Sequence, residues 1–410
     1  MPVIIQKYGG SSLATPDLIK SVAAKICATH DSGNSVVATV SAMGDSTDNL
    51  LSIASQVSVM PDLRELDVLL STGELQSCAL LTMALKDMGK KAVSLSGAQA
   101  GIRTDSSHGK AKIADIDTSR ILVELEAQNI VIVAGFQGVT SDSDITTLGR
   151  GASDLTAVAL AAGLNADRCE IYTDVEGIYT ADPRLVPEAQ KMTQIGFEEM
   201  LELASYGAKM NPRSIELGMA YQVPILVASS FNDEPGTLIY DGGNMDSTVG
   251  EIRNRVRGIA TDKDVAKITV FSVVDRPGIA ADLFDPLAES DISVDIIVQN
   301  ASVSGTTDLT FTVKQSDVNR AMKVVEEVAN NLGTTNVGKT ENLAKISIVG
   351  TGMQDSPGYA STMFRALSEA NINIEMITTS EIRITCIIGA EMVGEAAEVL
   401  HAAFELERSD

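Results

Sequence analysis

The sequence predicts an α/β protein, with a mainly parallel sheet sandwiched by helices followed by a smaller module that occurs twice. Three observations carry this. From residue 1 to about 235, short apolar runs alternate with helical patterns, the order that builds a parallel sheet from strand–helix–strand units. Near 235–265 the character changes, with Glu234-Pro235-Gly236-Thr237 and Asp241-Gly242-Gly243-Asn244 marking a domain boundary. Beyond it a βαββα pattern appears twice, each time with Pro-Gly opening the first helix.

In the first part, strands are expected at Val3–Gln6, Ser35–Ser41, Ala92–Ser96, Ile130–Gly135, Arg168–Thr173 and Pro224–Ala228. Helical spacing marks 16–30, 47–59, 63–88, 118–127, 153–164, 197–205 and 211–222. The first repeat reads as strand Lys267–Val273, turn Asp275-Arg276-Pro277-Gly278, helix 279–290, strands Ser293–Val298 and Thr307–Val313, and helix 316–330. The second reads as strand Ala344–Gly350, turn Asp355-Ser356-Pro357-Gly358, helix 359–370, strands Ile372–Met376 and Ile382–Gly389, and helix 391–405. A four-stranded βαββαβ module needs one more strand in each copy. Residues 335–341 supply it to the first, and 255–262 are expected to cross over and supply it to the second. The domains then run 1–240, a linker with the crossover strand at 241–265, and modules at 266–342 and 343–410.

Composition narrows the function. A chain of 410 residues with 44% apolar content implies two or three domains with large cores. With 31 basic and 55 acidic residues the net charge is −24, which argues against nucleic acid and anionic membrane as partners. The absence of tryptophan and an aromatic content of 4% argue against a base-stacking platform. Cys27, Cys78, Cys169 and Cys386 are widely spaced with no CxxC, so they read as reduced thiols of a cytoplasmic protein. His30, His108 and His401 are scattered and form no metal motif. No signal-peptide pattern occurs and no apolar run approaches the ~20 residues of a membrane span.

In parallel sheets, ligands bind where loops leave the carboxyl ends of strands. Lys7-Tyr8-Gly9-Gly10-Ser11-Ser12 starts at such an end. Its glycines allow close backbone approach, its N–H groups are expected to point outward, and a helix start follows, which together suit a polyphosphate. A tight turn with a solvated lysine accounts for the same residues equally well. Four more stretches join it: Ser41–Thr47, Ser71-Thr72-Gly73-Glu74, Thr146–Asp154 and Thr173–Arg184. Arg150 sits between Gly149 and Gly151, where a guanidinium can hold a carboxylate bidentately, and Ser153 is expected to cap the next helix. Each has an ordinary alternative. Asp154 can be a first-turn acid complementing a helix dipole, Glu74 a solvated helix residue, Tyr179 core, and Asp182-Pro183 a plain turn. Jointly they favour a site for phosphates and a carboxylate-bearing ligand. Gly333-Thr334-Thr335-Asn336-Val337-Gly338-Lys339-Thr340 satisfies GxxxxGK[ST], but a helix precedes it and a strand follows, the reverse of the order a P-loop needs.

Seven stretches taken in order carry a resemblance: Lys7–Ser12, Ser41-Ala42-Met43-Gly44-Asp45, Leu70–Glu74, Gly135-Phe136-Gln137-Gly138, Leu148–Asp154, Thr173–Arg184 and Tyr206-Gly207-Ala208-Lys209. Over essentially its whole length the chain resembles the aspartokinases of the amino acid kinase family. Its repeats resemble paired ACT modules, ferredoxin-like βαββαβ units that bind amino acids. The resemblance implies that Lys7, Gly9, Gly10 and Ser11 hold the phosphates of ATP, with Lys7 and Asp154 catalytic. It implies that Thr173, Asp174, Tyr179, Asp182, Arg184 and Lys209 surround the nucleotide. Ser41, Thr47, Glu74, Arg150, Gly151 and Ser153 match positions for L-aspartate, the Glu meeting the α-amino group and the Arg a carboxylate.

In the modules, Asp275, Gly278, Ile279, Gln299 and Asn300 match one side of an effector pocket, and Asn373, Ile374, Thr379, Ser380 and Glu381 match facing positions. Lysine, threonine or both are the implied effectors, and a homo-oligomer through the ACT modules the implied assembly. Mg²⁺ is expected to be held by ATP and water, with no protein metal site. Two departures stand out: Gly151-Ala152 where the family commonly has two glycines, and Gln354-Asp355-Ser356 where related families often carry a basic-Ser-His. Kinases for other acids, such as acetylglutamate, lack paired ACT modules. A non-catalytic amino-acid sensor would have no need of intact Lys7, Glu74, Arg150 and Asp154.

Overall fold

Val3–Tyr8 (β1) is buried from Ile4 onward and has a parallel neighbour on each side. The computed structural model describes residues 1–207, 210–241, 256–300, 305–334, 336–353 and 357–408. After β1 come Pro16–Asp31 (α1), Ser35–Val40 (β2), Ser46–Val57 (α2), Leu63–Asp87 (α3), Ala92–Leu95 (β3), Ile102–Thr104 (β4) and Ile113–Ile116 (β5). Ser119–Glu126 (α4), Ile130–Ala134 (β6), Gln137–Val139 (β7), Ile145–Thr147 (β8), Ser153–Gly163 (α5) and Arg168–Thr173 (β9) follow. Gln194–Gly196 (β10), Phe197–Ser205 (α6), Pro212–Tyr221 (α7), Ile225–Ser229 (β11) and Thr237–Tyr240 (β12) complete this part.

The main sheet has the order β10-β12-β11-β9-β1-β2-β6-β3 and is parallel except for the β11–β12 pair. From β1 the chain builds outward in both directions, through β2 on one side and β9 on the other, so their loops part at the carboxyl ends of β1 and β9. β-Branched, doubly buried runs such as Val36–Val40 suit a sheet covered on both faces. One layer of its core joins Tyr8, Ile26, Val36, Cys78, Leu81 and Ile132. A second sheet, β5-β4-β7-β8, is absent from the sequence reading. Its strands are three or four residues long, too short to show an alternation. Gly135–Gly138 and Thr146–Thr147, read as loops, therefore run partly in strands. By length and composition α3 could cross a membrane, but it buries Asp67, Ser71 and Glu74 along one face, as a core helix does.

The second part contains Gly258–Val274 (β13), Ile279–Glu289 (α8), Ile297–Gln299 (β14), Thr306–Val313 (β15), Val318–Asn331 (α9), Val337–Val349 (β16), Tyr359–Glu369 (α10), Met376–Thr379 (β17), Arg383–Gly389 (β18) and Val393–Ala403 (α11). All pairs in its sheet, β14-β15-β13-β16-β18-β17, are antiparallel. β13 and β16 are each continuous where the sequence suggests two strands: Gly258–Asp262 pair with Val349–Lys345, and Lys267–Val270 with Thr340–Val337. Arg255 lies outside the described residues, as does Gln354-Asp355-Ser356.

The expected strands Ser293–Val298 and Ile372–Met376 are displaced to Ile297–Gln299 and Met376–Thr379. In both repeats the helix ends, a left-handed residue follows (Asp291, φ 54°; Asn371, φ 56°), and the next isoleucine drops into the core. Ile292 and Ile372 thus pack rather than pair. Three cysteines are buried and Cys27 is half-buried, all as free thiols.

The described residues of Met1–Ile178, Lys191–Ser205 and Lys209–Thr248 form one compact unit, and those of Tyr179–Gln190, Tyr206–Ala208 and Val249–Asp410 another. Segments from the strand–helix part therefore belong to the second unit. Ala181 and Val186 share a hydrophobic cluster with Ile346, Met363 and Leu400.

Candidate active site

Lys7 is the penultimate residue of β1 with its side chain buried, and its Nζ lies 2.8 Å from Asp154 Oδ1 in the first turn of α5. Gly135, at the end of β6, makes room for that helix: a Cβ there would lie 2.8 Å from Ser153 Cβ and 3.0 Å from Thr39 Cγ2. Ser153 is the first residue of α5 rather than its cap, which is Ala152. The small residue lets the helix start press onto β2 and β6.

The glycine turn differs from the expectation. Gly10–Leu13 form a 3-10 turn, and α1 begins only at Pro16, capped by Thr15. The Gly9 N–H donates to Tyr172 O and the Ser12 N–H to Gly9 O, so two of the turn's N–H groups are engaged. The helix start beside Lys7 is that of α5. Gly10 is needed for space: a Cβ would sit 2.7 Å from Ala42 O and 3.1 Å from Gly44 O. Ser11 is exposed, while Ser12 Oγ lies 2.7 Å from Ser230 Oγ.

Glu74 is part of α3, as the helical spacing over 63–88 predicts, and is buried rather than solvated. A Cβ on Gly73 would lie 2.8 Å from Ala42 Cβ, so the glycine lets the helix reach the Ser41–Thr47 segment. There the Ala42 N–H donates to Glu74 Oε1 at 3.2 Å. Oε2 is buried with no partner among the described residues. Burial raises the carboxyl pKa from 4.5 to about 7, opposed by backbone hydrogen bonds. A carboxylate held in this state gains from a cation brought by a ligand.

Arg150 stands between Gly149 (φ 96°) and Gly151 (φ 75°), with its side chain 84% exposed. It donates to Asp48, in the first turn of α2, at 2.8 and 3.1 Å. Asp48 was not singled out from the sequence, although it is adjacent to Thr47. Thr47 and Ser41 are half-buried. Arg213 on α7 was also missed. It holds Leu148 O at 2.7 Å and Ala111 O at 3.1 Å, just before the Arg150 loop.

Thr173 and Asp174 belong to the first unit, where Thr173 Oγ1 donates to Asp174 at 3.1 Å. Tyr179, Asp182 and Arg184 belong to the second, with Arg184 Nη2 2.6 Å from Asp182 Oδ2. Thr180 Oγ1 lies 2.9 Å from His401 Nε2 on α11, and Tyr206 packs under Lys345 and Arg383, at 5.4 and 4.3 Å from its ring centre. Lys209 lies outside the described residues.

In the repeats, Gly278 and Gly358 adopt the same left-handed conformation (φ 92° and 118°) before their helices. Asp275, Gly278, Ile279, Gln299 and Asn300 gather where β13 ends, α8 starts and edge strand β14 ends. Asn373, Ile374, Thr379, Ser380 and Glu381 flank β17, the opposite edge strand. Five strand spacings, or about 24 Å, separate the two edges. The fold of one chain does not bring the two groups together.

Among the described residues no cluster of three or more His, Cys, Asp or Glu could hold a metal. A cavity of about 700 Å³ is lined by Ile113, Leu155, Arg213 and Leu217 among others, and by none of Lys7, Glu74, Arg150 or Asp154.

The family model of the amino acid kinase family matches residues 2–229, and that of the ACT domain matches 268–328 and 346–404. The aspartokinase of Corynebacterium glutamicum is 48% identical over 414 residues, covering 100% of this chain and 98% of that one. This chain is a member of the aspartokinases. Aspartokinase 2 of Bacillus subtilis is 45% identical, with 100% of this chain and 99% of that one covered. The solved aspartate kinase from Synechocystis is 42% identical with a TM-score of 0.56, covering 100% of this chain and 70% of that one. Escherichia coli aspartokinase III, solved with aspartate and ADP, shares the fold at a TM-score of 0.82 and 24% identity, covering 98% of this chain and all of that one. This aspartokinase is thus a phosphotransferase that uses ATP.

Proposed function

We propose that the enzyme transfers the γ-phosphoryl group of ATP to the side-chain carboxylate of L-aspartate, giving 4-phospho-L-aspartate and ADP. This is the entry step toward lysine, threonine and methionine. The observation that carries the reading is Glu74: a buried carboxylate with one oxygen unpartnered, suited to a substrate ammonium group. Arg150 takes a substrate carboxylate by exchanging it for Asp48, with Ser41, Thr47, Gly151 and Ser153 completing the pocket.

The attacking carboxylate is ionised at neutral pH and needs no general base. One of its oxygens forms a bond to the γ-phosphorus while the bond from that phosphorus to the bridging β–γ oxygen breaks, the electron pair leaving with ADP. Lys7, held by Asp154, neutralises charge on the transferring group, and Gly9 and Gly10 admit the phosphates. Mg²⁺, carried by the phosphates and water, supplies further charge neutralisation. Thr173, Asp174, Tyr179, Asp182, Arg184 and Lys209 are read as nucleotide contacts.

Regulation is read as feedback by lysine, threonine or both at the ACT modules. Two observations support it. The segments Tyr179–Gln190 and Tyr206–Gly207, which lie within the kinase-family match, fold into the ACT-bearing unit. Gln299 and Asn300 end one edge strand and Thr379, Ser380 and Glu381 leave the opposite one, so a complete effector site calls for a second chain, hence a homo-oligomer. The domains are read as 1–240, 241–265, 266–342 and 343–410. A hydroxamate assay over a panel of acids, with and without lysine and threonine, tests the whole reading. Activity is expected with aspartate and inhibition with at least one effector. Acyl phosphate formed from N-acetylglutamate but not aspartate would overturn it.

A further inference from the structure

The buried face of α3 carries a second carboxylate two turns before Glu74. Asp67 is 1% exposed and three groups hydrogen-bond to its carboxylate. The Gly109 N–H donates to both its oxygens (3.1 and 3.0 Å), His108 Nδ1 lies 2.9 Å from Oδ2, and the Thr147 hydroxyl donates to Oδ1 at 2.5 Å. The two segments it grips are also bonded to each other, the Ala111 N–H donating to Thr147 O at 2.9 Å. From the other side, Arg213 holds the carbonyls of Ala111 and Leu148. Three residues after Thr147 stands Arg150, on a loop whose two glycines both have positive φ. Such a loop has little intrinsic preference for one conformation, so its direction is set by where its ends are fixed. Ala152 fixes one end and Thr147–Leu148 the other.

We propose that Asp67 is a positioning residue for the phosphoryl transfer. By holding Thr147 and the His108–Gly109 turn, it aims the Arg150 loop at the substrate carboxylate. The inference rests on the assignment of Arg150 to aspartate. One helix face then serves the substrate twice, directly through Glu74 and indirectly through Asp67. A buried carboxylate whose two oxygens both accept from the Gly109 N–H cannot be replaced by an amide without turning one of them into a donor that faces that donor.

The test is steady-state kinetics on the full chain for Asp67→Asn, alone and combined with Arg150→Ala. We expect Asp67→Asn to raise the KM for aspartate roughly tenfold, leaving kcat and the KM for ATP within about threefold. In the Arg150→Ala background the same change should raise the aspartate KM less than about twofold, because the group it aims is gone. An unchanged KM in the single variant overturns the proposal, and so does an equal rise in both backgrounds, which would mark a general structural role. If Asp67→Asn does not fold, Thr147→Val removes one donor while keeping shape. A rise of about threefold in aspartate KM that vanishes in the Arg150→Ala background supports the proposal, and no rise overturns it. Arg150→Ala by itself leaving aspartate KM unchanged would instead defeat the assignment of Arg150, a result read separately from either Asp67 outcome.

Discussion

Two ion pairs of equal length flank this site and differ in almost everything else. Lys7–Asp154 and Arg150–Asp48 are both 2.8 Å. The first has side chains 11% and 10% exposed, the second 84% and 55%. Lys7 and Asp154 are largely desolvated before any ligand arrives, so removing one partner strands a buried charge. The exposed pair is screened and contributes little, so it is easily exchanged. The contrast separates fixed machinery from an interchangeable grip. In this reading Asp48 stands where a substrate carboxylate will bind.

The largest effect should come from the buried pair. Lys7→Ala is expected to lower kcat about a hundred- to a thousandfold with a much smaller change in aspartate KM. A kcat near wild type would end the phosphoryl-stabilising role of Lys7. Arg150→Ala should act on the other side of the contrast, raising aspartate KM roughly tenfold or more with a lesser effect on kcat. Initial-rate measurements at varied aspartate decide between them.

Glu74 sharpens the comparison through pH. Its carboxyl group is raised from 4.5 to about 7, so it binds protons more tightly in the folded than in the unfolded chain. Its contribution therefore costs stability progressively as pH rises from 4.5 through 7, by about 3 kcal/mol in all. Ligand binding runs the other way: as Glu74 ionises near pH 7 it attracts the substrate ammonium, and aspartate KM should fall. Glu74→Gln should flatten both profiles, and thermal unfolding and KM measured from pH 5.5 to 8.5 check this. The smallest effect is expected for Asp48→Asn, which removes the competitor for Arg150 and should lower aspartate KM about two- to threefold. A raised KM would show that Asp48 supports the grip rather than competing for it.

Much of this was legible in the sequence because it is local. Alternating strand and helix patterns located six of the eight strands of the main sheet within a residue or two, and the Pro-Gly turns located α8 and α10. The order of elements also disposed of Gly333–Thr340, which follows α9 and runs into β16. What was missed had no local signature. The short strands β4, β5, β7, β8, β10 and β12, three or four residues each, carry no periodicity, and the shift of two strands to 297–299 and 376–379 follows from Ile292 and Ile372 being claimed by the core. Asp67 had a faint signal, its seven-residue spacing from Glu74, which puts both on one helix face.

The sequence by itself determined the class of fold, the family and the chemical types at each loop, because backbone propensity and motif order are written in neighbouring residues. Tertiary structure alone decided which carboxylates lose water. It buried Glu74 with an open oxygen, paired Asp154 with Lys7 and left Asp48 in solvent beside Arg150. It also put Gln299 and Thr379 on opposite edge strands of one sheet and folded Thr180 against His401. Each outcome depends on residues far apart in the chain meeting in space, where burial and charge are set by the surroundings rather than by the residue.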